Sequence, residues 1–147
     1  RVVGRADEWE HFEIKASVAQ YERNLIRDRT RAVMRHKFNQ GQLTGNVPFG
    51  HDCLYTFADG STKLSARALP AAQLPGTPVS KLLVDNLPEQ ATLRQIKAWR
   101  DSGWKLERIA EELNRRGIFT KLDCHWQAGN VASVLGSRHS ARILAAA

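Results

Sequence analysis

The chain has 147 residues, of which 42% are hydrophobic and four are tryptophan, and its formal net charge is +7. This apolar content suffices for one modest domain with an appendage and excludes a disordered polymer. No apolar run approaches the roughly 18 residues that span a bilayer, and no signal-peptide core opens the sequence, so a cytoplasmic protein without a membrane partner is expected.

From about Asp7 to Lys37 nothing breaks a helix, and Phe12, Ala16, Ala19, Ile26, Thr30, Val33 and Met34 recur at helical spacing. One long amphipathic helix follows, reaching about 45 Å at roughly 1.5 Å per residue. Between Tyr21 and Lys37 six Arg or Lys stand against two acids. Like charges stacked on a helix repel, so the missing negative charge is expected outside the chain. Arg23, Arg27, Arg31 and Arg35 fall four residues apart; Arg23 lies nearest the apolar stripe and is expected to anchor structure, leaving Arg27, Arg31, Arg35 and Lys37 for phosphate. The alternative is a solvated surface helix.

Gly41, Gly45, Pro48 and Gly50 make Asn39 to Gly50 an extended linker. Within it Gly45, Asn46, Val47 and Pro48 are candidates to lie in a minor groove, although a plain connector has the same composition. Two strand-like runs around Asp59-Gly60 predict a hairpin, and Lys81 to Asn86 one more short strand, after a loop holding three of the five prolines. From Pro88 the pattern turns helical, with Leu93, Ile96 and Trp99 on one face and Gly103 as its end. A second helix runs from Lys105 to about Arg116 with Leu106, Ile109, Ala110 and Leu113 inward, and a third from Trp126 to Leu135 with Val131 and Val134.

Charge divides unevenly along these elements. Residues 1–22 carry three basic and five acidic groups, 23–41 six and one, 42–90 three and four, and 91–147 ten and five. Two blocks of +5 therefore flank a near-neutral middle, the pattern of two footprints on a polyanion. The last two helices suggest a helix-turn-helix unit whose final helix would enter a major groove with Gln127, Asn130 and Ser133 exposed, and Arg138 just beyond. Many three-helix units bind no nucleic acid, and a helical protein-interaction module is the alternative.

No serine elbow, Cys–His pair, paired carboxylates or phosphate-cradling glycine loop is present, so no catalytic residue, cofactor or small-molecule substrate is expected. Cys53 and Cys124 belong to no C-x-x-C pair, and no metal site is expected. His36, His51 and His139 are expected to face solvent. The chain opens on Arg1 rather than Met, which suggests a piece of something longer.

Three ordered motifs carry a resemblance. Glu22-Arg23, Ile26 and Asp28-Arg29 look like the helix that leaves the catalytic domain of serine site-specific recombinases, the resolvase/invertase and large serine integrase group. Gly45, Pro48, Phe49 and Gly50 match the segment that opens their recombinase domain. Gly103, Ile109, Ala110, Leu113, Asn114, Gly117, Ile118, Thr120, Trp126, Val131 and Leu135 match its helical pattern, so the likeness covers about Gly4 to Leu135. Asn46, His51 and Lys105 depart from it, as does the long proline-rich insert at 69–78.

The resemblance implies a mainly α fold with a small β element (α+β). Its parts would be a connecting helix (1–38), an extended linker (39–50), a compact helix-turn-helix-like recombinase domain with a short hairpin (51–140) and a tail (141–147). It implies sequence-specific binding to double-stranded DNA, with the long helix crossing the minor groove and the domain docking in the adjacent major groove. The full-length parent would act as a homodimer or tetramer that exchanges strands through phosphoserine links. The family's nucleophilic serine lies in a preceding domain, so this chain is expected to be inactive alone, and a nucleoid-associated location follows. A stand-alone regulator derived from such a recombinase would share these features.

Overall fold

The computed structural model describes residues 3–146; Arg1, Val2 and Ala147, at the ends of the expected connecting helix and tail, lie outside the described residues. The chain divides into two units, with the boundary between Gln40 and Gly41. It is mainly helical with one small sheet, the fold class expected from the sequence.

The first unit is a single helix, α1 (Val3–Asn39), unbroken over 37 residues and so about 55 Å long at roughly 1.5 Å per residue. Its last turn carries His36 and Lys37, which suit the negative end of the helix dipole. Gly41, at φ 70°, takes the left-handed conformation that stops it. From Glu8 onward almost every side chain is exposed. Trp9, Phe12 and Tyr21 show 65%, 66% and 68% of their surface, and none of the helix side chains described is buried.

The second unit joins a sheet to four helices. Strands β1 (His51–Thr56), β2 (Thr62–Ser65) and β3 (Ser80–Asp85) form an antiparallel sheet in the order β2-β1-β3. The hairpin closes where the Asp59 carboxylate accepts from the Ser61 amide at 2.9 Å and from its hydroxyl at 2.6 Å. Alternation along β1 buries Cys53 and Tyr55, with Phe57 just beyond, on one face.

Part of the extended linker expected at 39–50 is held against the sheet. The Leu83 amide donates to the Gly41 carbonyl and the Leu43 amide to the Lys81 carbonyl, each at 2.9 Å, so this segment runs along the edge of β3. Val47 then enters the small core with Cys53, Tyr55 and Phe57, and Phe49 enters the main one. Burying each such side chain contributes about 1.5–3 kcal/mol, which outweighs the backbone freedom of the neighbouring glycines. The proline-rich insert is likewise held. The Leu69 amide donates to the Tyr55 hydroxyl at 2.9 Å and Lys63 Nζ to the Gln73 carbonyl at 3.0 Å.

Helix α2 (Leu87–Asp101) starts under an Asn86 cap, whose Oδ1 accepts from the Glu89 amide at 3.2 Å. Its buried Leu93, Ile96 and Trp99 pack with Ile109, Ala110 and Leu113 of α3 (Leu106–Arg115) and with Val131 of α4 (Ala128–Leu135). The connection between α3 and α4, residues 116–127, is longer than the roughly 3–4-residue turn of a simple helix-turn-helix. A further helix, α5 (Arg138–Ala145), replaces the expected tail at 141–147. The Ser137 hydroxyl accepts from the His139 amide at 3.3 Å to start it, and Ile143 closes the main core. A single buried apolar position in a two-turn helix leaves little periodicity to read.

Two contacts bind these parts together. Lys121, in the α3–α4 connection, places its ammonium 2.9 Å from Asp52 of β1 and 2.9 Å from Glu89 of α2, and also donates to the His51 carbonyl. Glu89 accepts from the Gly50 amide at 2.8 Å as well. At Gly50, φ is 98° and an added Cβ would stand 2.6 Å from Ile143 Cδ1.

Lys121→Ala is expected to lower unfolding stability by roughly 2–3 kcal/mol, because the carboxylates of Asp52 and Glu89, only 18% and 20% exposed, lose their counter-charge. Gly50→Ala should cost roughly 1–3 kcal/mol through the left-handed backbone and the Ile143 contact. Urea titration of each variant checks both values; wild-type midpoints would contradict these assignments.

Candidate nucleic-acid interface

Of the candidate residues on α1, Arg27, Arg31, Arg35 and Lys37 are all exposed. None forms an ion pair among the described residues, although Asp28 lies between them in sequence. Arg23, expected to anchor structure, is exposed in the same way.

The segment from Gly45 to Pro48 divides. Gly45 and Asn46 are exposed, with Gly45 at φ 95°, whereas Val47 is 6% exposed and Pro48 partly buried. The Val47 side chain therefore belongs to the small core and is withdrawn as a groove contact.

On α4 the exposed positions are Gln127, Gly129, Asn130, Ala132 and Ser133, with Arg138 exposed at the start of α5. Asn130 also works for the fold, since its Oδ1 accepts from the Gln127 amide at 3.2 Å and closes the first turn. A second amide, absent from the sequence candidates, sets where α4 begins. Asn114 Oδ1 accepts from the Trp126 amide at 2.7 Å, and its Nδ2 donates to the Trp126 carbonyl at 2.9 Å. Only the position of an Asn near the end of an otherwise well-patterned helix hinted at this role.

The cations of the second unit are treated differently from those of α1. Glu112 takes Arg115 at 2.5 Å and Arg116 at 2.9 Å, and these hydrogen bonds pull its carboxyl down to about 2. Lys97 pairs with Asp101 at 2.5 Å, Arg67 with Asp123, and Lys121 with Asp52 and Glu89. Arg94, Lys105, Arg108 and Arg138 make no ion pair among the described residues.

Arg108 is instead held by stacking. Its guanidinium carbon lies 3.9 Å from the Trp104 ring centre, and Trp104 stacks on Trp99 at 5.1 Å with 5° between planes. Arg116 covers the far face of the pair at 4.8 Å from Trp99. A guanidinium lying flat on an aromatic ring keeps its N–H edge available to an anion. The four-residue step from Trp104 to Arg108 could have marked this stack in the sequence.

Among the described residues no three His, Cys, Asp or Glu side chains converge on a possible metal site. No helix among them is long and apolar enough to cross a membrane. No protein-family model, curated protein or solved structure matches the chain.

His36 is exposed, but His51 and His139, also expected in solvent, are part-buried with ring centres 5.8 Å apart. Burial pushes both imidazoles below the ordinary histidine value; at His51 Asp85, 3.7 Å away, opposes the shift, while at His139 the neighbouring His51 adds to it. The neutral forms are thus favoured by folding. Their stabilisation is complete above the unfolded pKa of about 6.5 and is lost as pH falls through it toward the folded values. The melting temperature is expected to drop between about pH 7.5 and about pH 5.5, and His139→Gln to flatten that drop. An unchanged slope in the variant would contradict the coupling.

Proposed function

We propose that this chain binds double-stranded DNA sequence-specifically, as the DNA-binding part of a serine recombinase that carries out site-specific strand exchange. The observation that carries the reading is a row of charge: Arg27, Arg31 and Arg35 stand exposed four residues apart with no carboxylate partner among the described residues, whereas five cations of the second unit are neutralised by carboxylates. Such a row suits a phosphate backbone, where each neutralised phosphate releases counterions.

Support for the recombinase family comes from the three ordered motifs, and α4 would supply the major-groove contacts through Gln127, Asn130 and Ser133. Strand exchange would belong to a parent carrying the nucleophilic serine, acting as a homodimer or tetramer. A stand-alone regulator would use the same surfaces, and the coding sequence upstream of Arg1 separates the two. A helical protein-interaction module is a second reading, favoured by the exposed Trp9, Phe12, Ile14 and Val18 of α1.

Duplex affinity measured against salt tests the proposal. Affinity should fall steeply as salt rises, and Arg27→Ala with Arg31→Ala should weaken all sequences alike and reduce the slope by about 2. A slope near zero would overturn the phosphate contact, and a stable oligomer without DNA affinity would favour the interaction module.

A further inference from the structure

A hollow of about 200 Å³ lies between three segments of the second unit: Phe49 before β1, Thr120 to Leu122 in the α3–α4 connection, and Trp126, Asn130, Ser133 and Val134 at and within α4. Its lining is chiefly apolar. Phe49 and Trp126 meet edge to face with ring centres 5.2 Å apart, and Leu122, 66% exposed, stands at the surface without a packing role that would explain it.

We infer that this hollow receives the C5-methyl of a thymine, making α4 a reader of thymine in the major groove. The inference rests on the DNA-binding reading above and adds to it the base that is recognised. Three observations select this occupant. The one charged residue lining the hollow, Lys121, already faces Asp52 and Glu89 at 2.9 Å each, so no free cation is offered to a phosphate. The amide best placed to read adenine, Asn130, has its Oδ1 engaged by the Gln127 amide at 3.2 Å, which weakens a paired contact to that base. Of the four bases only thymine carries a methyl group on its major-groove edge, with the O4 acceptor beside it. Trp126 is 3% exposed, and its indole Nε1 is a buried donor with no acceptor among the described residues.

Leu122 and Val134 are then specificity residues, and Leu122 is the better probe because its exposure makes truncation cheap to the fold. The experiment uses the full chain. Selection from random duplexes defines the preferred site, and each thymine is then replaced singly by deoxyuridine, which removes only the methyl. One position in each bound half-site should lose about fourfold in affinity, the factor expected for one buried methyl. In Leu122→Ala that loss should fall below about twofold. Tolerance of uracil at every position would overturn the inference while leaving DNA binding intact. A loss that persisted undiminished in both Leu122→Ala and Val134→Ala would also overturn it, by placing the methyl elsewhere. Absence of any duplex binding would overturn the DNA reading, and this inference with it.

Discussion

The second unit depends on one ammonium group. Lys121 sits in the connection between α3 and α4, yet its three partners lie on the first residues of β1 and the first turn of α2. Two carboxylates and one cation with little access to water are costly apart and tolerable only together. The connection therefore has one position relative to the sheet. Asn114 then fixes the backbone of Trp126 from the other side, so the start of α4 is set by two polar contacts that do not involve α4 itself.

The two units carry their positive charge differently. In the second unit, of ten basic residues between positions 91 and 147, Lys97, Arg115, Arg116 and Lys121 form ion pairs and Arg108 lies on tryptophan, while Arg94, Lys105 and Arg138 stay exposed without an ion pair among the described residues. On α1 the sequence supplies almost no acid after Glu22, so its own residues offer little to neutralise the arginines. The repulsion among its arginines is set by spacing, because residues four apart share a face. Unit two thus uses part of its charge to hold its fold, whereas the arginines of α1 after Glu22 are all left exposed.

The helical part of the fold was legible because its periodicity is strong. Ile109, Ala110 and Leu113 in α3, and Leu93, Ile96 and Trp99 in α2, fall on the faces that the sequence marks as apolar. The hairpin was legible from Asp59-Gly60, where turn chemistry is local. The segment from Gly41 to Gly50 was misread because glycine and proline report backbone freedom and say nothing of what Val47 and Phe49 find once folded. Helix α5 escaped because only Ser140 and Ile143 are buried along it. The candidate site divided the same way: exposure of Arg27 and Gln127 follows from helix phase, whereas the Lys121 and Asn114 contacts span 69 and 12 residues and leave no local pattern.

Asn130 shows how folding and recognition compete for one side chain. An exposed amide on a short helix reads, from sequence, as a base contact. In the structure its carbonyl oxygen supports the first turn of α4, a helix of only eight residues whose N-terminal amides need partners. A base contact that required Asn130 to turn away would loosen the helix that presents it. If the chain reads bases, discrimination would be better carried by a group with no such duty, and Leu122, exposed at the rim of the hollow, has that freedom. A contact by shape and methyl burial would leave the Asn130 cap in place, so a helix reading a base in this way would keep the bonds that hold it.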